Sequence, residues 1–246
     1  MKADWRSPES YADMTNLMPR EVAWEFLRRN PIYREEYEKS RRLEGGEADK
    51  FALRWGLRFG VDPEITASEA GLFWLHADCA SVIMLAGTTP ATASSSFSLS
   101  GLSGFFKCRE AVDGAHILIK EKGYKFQIYV SSIGDWRENL HLNIPLNGYE
   151  QLRCEVTSRF CRFYNREKPL RIRRSGGVYE RLRDALRVLD GSLAGATYRE
   201  ITEVLLGSRR MNDEVWKTSS ARAVTIRLMK QANALMTGGY VSLLNS

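Results

Sequence analysis

The interval between apolar residues changes twice along this chain, and that change restricts the fold more than any motif in it. In the first third the interval is helical. Pro19 suits the first turn of a helix running to about Arg29, with Val22, Trp24, Phe26 and Leu27 on its apolar side. Asn30 and Pro31 restart the chain as N-cap and first helical residue. The pattern carries on through Tyr33, Tyr37 and Leu43 to a stop at Gly45 and Gly46. A third helix is predicted over Ala48–Phe59, closed by Gly60, Asp62 and Pro63.

In the middle third the interval drops to two. Phe97 and Leu99 alternate with serines, and Tyr124, Phe126, Ile128 and Val130 alternate with Lys125, Gln127 and Tyr129. Leu140, Leu142, Ile144 and Leu146 alternate with His141, Asn143 and Pro145. Such alternation marks half-buried strands, because successive side chains of a strand point to opposite faces. Residues 115–130 read as a hairpin turning at Glu121, Lys122 and Gly123. Pro145 lacks the N–H a ladder needs and suits an edge strand or a strand end.

The last third returns to helical spacing. Tyr149–Tyr164 is followed by a basic stretch, Asn165–Arg174, and a break at Ser175, Gly176 and Gly177. Val178, Leu182, Ala185, Leu186 and Leu189 then predict a helix stopping at Asp190 and Gly191. Thr197 and Glu200 have the spacing of a capping box and open a short helix with Ile201, Val204 and Leu205 inward, ended by Gly207. Thr218 or Ser219 caps a longer helix, to about Met236. Ala221, Val224, Leu228 and Leu235 form its inner stripe, and Arg222, Thr225 and Ile226 lie on another face.

Charge follows the same division. Residues 1–150 carry 18 Lys/Arg against 21 Asp/Glu, a net of −3, whereas residues 151–246 carry 18 against 9, a net of +9. A basic balance confined to one segment points to a polyanionic partner more strongly than a mildly basic whole. Most of those cations are arginine, whose planar fork of donors matches phosphate and guanine edges.

Other classes fit poorly. No apolar run approaches the ~20 residues that span a bilayer, so a cytoplasmic protein with no membrane partner is expected. Cys79, Cys108, Cys154 and Cys161 fall in no metal-ligand spacing and read as buried reduced thiols. Phosphate-loop, nucleophile-elbow and zinc-protease signatures are missing. Asp113 followed by Glu121 and Lys122 resembles a metal-dependent nuclease core, but Gly123 stands where that core needs its lysine. His76, His116 and His141 have no nucleophile or acidic partner evident in the sequence. No catalytic residue, cofactor or metal is expected.

Helix, short helix, then a helix opening on Ser, Thr and Arg is how a helix-turn-helix presents a reading helix to the major groove of double-stranded DNA. Ser219 and Ser220 near a helix start suit phosphate, and Arg222 suits a guanine edge. Lys217, Thr218 and Arg227 lie on or beside the same helix, and Arg209 and Arg210 in the unusually long turn before it. Lys168, Arg171, Arg173 and Arg174 form a basic run that suits phosphate tracking without sequence information.

The residues from Arg181 to Ile201, then Trp216–Ser220 and Gly238–Leu244, resemble a proteobacterial domain family found in activators and antiactivators of conjugative-element transfer. Ala23–Tyr33 resembles the short domain that often precedes it, and the order of segments is similar to that of RovC-like activators of type VI secretion genes. The resemblance implies a helix-turn-helix-like DNA-binding domain and activation of transcription. It also implies assembly into a homo-oligomer, with a hexamer within its range, and RNA polymerase as a further partner. The alternative is an antiactivator that sequesters a related regulator without binding DNA.

The sequence thus predicts an α+β protein. A helical module covers 1–70, a strand-rich domain 71–148, a helix and basic linker 149–174, and a helix-turn-helix-like DNA-binding domain 175–246.

Overall fold

The computed structural model describes residues 4–43, 46–87, 98–99, 105–121, 123–131, 139–168, 176–207 and 219–246. Its layout is α+β, with helices towards both ends and a five-stranded mixed sheet between them. The chain forms two compact units. The first gathers Met1–Arg34, Thr66–Ser68 and Arg173–Leu243, and the second gathers Glu35–Ile65, Glu69–Ile172 and Leu244–Ser246. The amino-terminal residues as far as Arg34 therefore share a unit with the carboxy-terminal helices, whereas residues 35–65 belong with the sheet.

In the first unit a 3-10 segment (Pro8–Asn16) packs on α5 (Gly176–Leu193), and α5 packs on α6 (Tyr198–Leu206) and α7 (Ser220–Ala234). Helix α1 (Pro19–Leu27) starts at its proline as predicted, with the Glu21 carboxylate accepting from the Met18 N–H at 2.7 Å. Helix α2 (Pro31–Ser40) has Asn30 as its N-cap: Oδ1 accepts from the Ile32 and Tyr33 amides at 2.8 and 3.2 Å. Helix α5 does not stop at Asp190 and Gly191 but runs on to Leu193. Gly191 is a packing position: a Cβ there would come within 3.1 Å of the Trp5 ring and of Ile201 Cγ1. The chain turns instead at Gly195, whose φ of +82° favours glycine.

A buried ionic node fastens α1 to α5. The Arg29 guanidinium grips Asp190 with two bonds, Nε to Oδ1 at 2.5 Å and Nη2 to Oδ2 at 2.8 Å. Nη1 donates to the Glu25 carboxylate at 2.8 Å, and the Tyr11 hydroxyl donates to Asp190 Oδ2 at 2.5 Å. Arg28 reaches Glu25 at 2.7 Å, and the Ala67 N–H donates to its other oxygen at 2.8 Å. Burial pushes the Tyr11 phenol far up, helped by the neighbouring Asp190 charge. Burial would also raise the Glu25 carboxyl, but Arg29, Arg28 and the Ala67 amide hold it below its ordinary value.

In the second unit the strand order is β2-β3-β4-β1-β5. The meander β2 (Phe105–Ala111), β3 (Gly114–Glu121) and β4 (Tyr124–Ser131) confirms the predicted hairpin, with Gly123 at a φ of +83° in its turn. Strand β1 (Val82–Gly87) pairs parallel to β4, and β5 (Leu140–Asn143) closes the edge antiparallel to β1. Strand β5 is shorter than the alternation to Leu146 suggests and ends before Pro145. The strand expected around Phe97 falls outside the described residues save Ser98 and Leu99, of which Leu99 packs on the sheet core. Helix α3 (Glu47–Leu53) also ends earlier than predicted, because residues 56–58 leave the helix to bridge Trp74.

One sheet face, with Ile117, Ile119, Phe126 and Ile128, is covered by Val156 and Phe160 of α4 (Glu150–Tyr164). The other face buries polar and aromatic groups. Gln127 stands in for a strand neighbour, accepting from the Trp74 N–H at 3.1 Å and donating to its carbonyl at 2.6 Å. His116 does have an acidic partner, Asp113 at 3.2 Å, and His76 stacks on Tyr129 with centroids 4.1 Å apart. Asp113 is also held by Arg58 at 2.9 Å, and strand β3 separates it from Glu121. Only Cys79 is buried; Cys108 is half-buried, and Cys154 and Cys161 are exposed on the side of α4 away from the sheet, against the expectation for all four.

Arg29→Ala should cost about 3–5 kcal/mol in urea melts, since it leaves the half-buried Asp190 without its cation and takes from the buried Glu25 one of its two. The folded Glu25 value is lowered, so its contribution is complete above about pH 4.5 and is lost as pH falls through the folded value. Melting temperature followed from neutral to acid pH should therefore fall less steeply for Glu25→Gln than for the parent chain.

Candidate nucleic-acid interface

Apart from Lys168, the described candidate residues lie on or at the start of α7, and side-chain caps fix the starts of α6 and α7. The Thr197 hydroxyl accepts from the Glu200 amide at 3.3 Å, and the Glu200 carboxylate accepts from the Thr197 amide at 2.7 Å, as the spacing predicts. Gly207 ends α6 with a φ of +82°. Ser219, rather than Thr218, is the N-cap of α7, its Oγ accepting from the Arg222 amide at 3.2 Å. Each cap satisfies an amide that the first helical turn leaves without a partner.

Burial sorts the residues of α7 by face. Ala221, Thr225, Leu228, Met229 and Ala232 are buried, Arg222, Val224 and Ile226 are half-buried, and Ser220, Ala223, Arg227 and Lys230 are exposed. Ser220, Ala223, Arg227 and Lys230 recur at intervals of three or four and so lie along one side of the helix, which the exposed Asn233 and Ala234 continue. Thr225 is a correction, since the sequence pattern sets it outward beside Arg222. It is fully buried, and its hydroxyl lies 2.8 Å from that of Thr202 on α6. Lys230 belongs with the exposed cations, and its spacing from Arg227 is the signal that could have found it.

Ser219 is 3% exposed with its hydroxyl in the cap, so its side chain serves the helix start. Ser220 and Arg227 are open, Arg222 is partly open, and Lys168 is exposed beyond α4. Arg227 borders a groove of about 400 Å³ between α5 and α7, whose rim also carries Glu180, Arg181 and Asp184. Arg171, Arg173, Arg174, Arg209, Arg210, Lys217 and Thr218 lie outside the described residues. Among the described residues, two cations of the basic half are internal. Arg187 donates to the Trp5 and Arg6 carbonyls at 3.2 and 3.3 Å, and Arg153 is 5% exposed.

Residues 143–245 match the family described as T6SS transcription factor, DNA binding domain, and residues 4–60 match the proteobacterial transcriptional regulator-like domain. The chain is a DNA-binding transcriptional regulator. In the content and order of these two segments it is RovC-like. Among curated proteins, no sequence matches it. The carboxy-terminal match takes in α4 on the sheet as well as α5, α6 and α7. No described helix is long and apolar enough to cross a membrane.

Ser219→Ala should cost roughly 1 kcal/mol, the usual loss on removing a helix N-cap, while Ser219→Asp should hold stability near that of the parent. Thermal melts by circular dichroism check both, and equal melting of the two variants would remove the capping role.

Proposed function

We propose that the chain is a sequence-specific transcriptional activator that binds promoter DNA in the cytoplasm as a homo-oligomer and acts on type VI secretion or mobile-element genes. The observation that carries the DNA-reading part is α7. It is a capped helix, packed on one side against α5 and α6, with Ser220, Arg227 and Lys230 exposed on another, inside the matched DNA-binding segment. We take α6 and α7 as a helix-turn-helix-like pair in which α7 enters the major groove. Lys168, Arg171, Arg173 and Arg174 act on phosphate, and Arg209, Arg210, Lys217 and Thr218 flank the groove contact.

Activation, RNA polymerase contact and the homo-oligomer, up to a hexamer, draw their support from the resemblance to RovC-like regulators. The aromatic residues of the amino-terminal half do not add to it: Trp5, Trp24, Tyr33, Phe73 and Trp74 are buried within the chain itself. The matched families are regulator domains, which supports a non-enzymatic role. Footprinting on the upstream region of its own gene and of neighbouring operons tests the reading. Protected sites together with reporter activation support it. Tight binding to a related regulator with no footprint would instead favour the antiactivator.

The two kinds of cation should separate in competition titrations at two salt concentrations. Replacing Arg171, Arg173 and Arg174 with Ala should weaken all duplexes alike and lower the log–log salt slope by about 0.9 for each phosphate no longer neutralised. Arg222→Ala or Arg227→Ala should cost ~1–3 kcal/mol on the cognate duplex and leave random DNA nearly unaffected. Equal weakening on both duplexes, with the fold intact, would move base reading away from α7 to Arg209 or Arg210.

A further inference from the structure

The seam between α6 and α7 holds a buried hydroxyl pair whose geometry has a functional consequence. Thr202 and Thr225 are both fully buried, and their Oγ1 atoms lie 2.8 Å apart. Each is also placed to donate along its own helix, Thr202 to the Tyr198 carbonyl at 2.7 Å and Thr225 to the Ala221 carbonyl at 3.2 Å. A hydroxyl has one proton to give. At any moment, therefore, one threonine donates across the seam and the other along its helix, and neither hydroxyl lacks a bond. Removing one hydroxyl leaves the other its intrahelical acceptor, so stability gives no strong reason to keep the pair.

Apolar contacts are non-directional, and a seam lined only by side chains such as Ile201, Ala221 and Leu228 tolerates small rotations of one helix on the other. A hydroxyl pair at 2.8 Å does not, because the bond weakens steeply with distance and angle. Arg227 follows Thr225 by two residues, about 200° round the helix, so it projects from nearly the opposite side. A rotation that slides Thr225 off Thr202 swings the Arg227 head by a similar angle through a longer radius.

We propose that Thr202 and Thr225 are positioning residues that fix the rotation of α7 on α6, and with it the direction in which Arg227 and Ser220 meet base edges. The pair acts on discrimination between sequences rather than on affinity for DNA in general. This rests on the reading of α7 as the groove-entering helix.

The test uses the full chain and two probes, a duplex selected by the parent protein from random-sequence DNA and a scrambled duplex of the same composition. Thr202→Val with Thr225→Val keeps the shape of the seam and removes both hydroxyls. The ratio of selected to scrambled affinity should fall roughly tenfold or more, about the discrimination held by one base contact, while scrambled binding and its salt slope stay as in the parent. Thr202→Ser with Thr225→Ser keeps the hydroxyls, removes the methyls, and should retain the ratio even at a lower melting temperature. An unchanged ratio in the valine variant overturns the proposal, as does a serine variant in which the ratio collapses, since methyl packing would then be responsible. If the double valine variant does not fold, Thr202→Val or Thr225→Val alone takes its place, since either one removes the bond across the seam. A parent protein that prefers no duplex removes the groove-reading role and this proposal together, whereas a discriminating parent with an equally discriminating valine variant removes only this proposal.

Discussion

The first unit depends on the grip of Arg29 on Asp190. It joins side chains 161 residues apart, and it does so with both oxygens of the carboxylate engaged and little water nearby. Taking a guanidinium and two carboxylates out of water costs more than their attraction returns unless every lone pair and proton is used. Here most of them are: Tyr11 donates to Asp190, Arg28 and the Ala67 amide to Glu25, and Arg29 to both carboxylates and to the Glu25 carbonyl. Such a node contributes less as net stability than as a fixed geometry. The orientation of α1 on α5 is set by bonds with angles, and hydrophobic burial around Val22, Phe26, Leu186 and Leu189 then fills that arrangement.

The consequence reaches the helix proposed to face DNA. Asn30 directly follows Arg29, and its side chain works in two directions, capping α2 through Oδ1 and donating through Nδ2 to the Met236 carbonyl at 2.9 Å. That carbonyl lies just past the end of α7, where the helix kinks at Thr237 and Gly238. Helix α7 is thus held near its start by the Ser219 cap, on its inner side by Thr225, and beyond its end by Asn30. Preorganisation of this kind lowers the ordering cost of binding, because the helix need not find its pose against the partner.

Much of this was legible in the sequence where one residue's own chemistry decides the outcome. Pro19, Asn30, Thr197, Glu200, Gly207 and Ser219 do what their types predict, because a cap or a turn is settled within about four residues. The hairpin at Gly123 was legible because alternation and a turn residue agree. What could not be read is pairing between distant segments. Nothing in the spacing of residues 4–34 says that they belong against α5, and Gly191 looks like a stop until Trp5 is seen beside it. Thr225 fails for a related reason. Threonine is polar enough to be assigned outward, and its partner Thr202, on another helix, together with the Ala221 carbonyl, offsets the cost of burying its hydroxyl. Strand β5 and helix α3 ended early because Pro145 and the bridge to Trp74 competed with local pattern.

Charge was legible only in sum. The net of +9 over residues 151–246 counts Arg153 and Arg187, and both are buried. Burial lowers both guanidinium values from the ordinary one, which reflects the cost of keeping each charge away from water. Arg187 offsets that cost by donating to the Trp5 and Arg6 carbonyls, and Arg181 and Arg199 each turn a donor to Gln231 and Glu203. Around Arg227 the acidic side chains Glu180 and Asp184 lie on the same groove rim and weaken the local positive potential. On α7 the exposed cations are therefore few and spaced, which suits directional contacts with base edges, and the densest positive charge in the sequence lies in the run from Arg162 to Arg174. On the proposed reading, strength of attraction and choice of sequence fall to different segments, and selection could change one with little effect on the other.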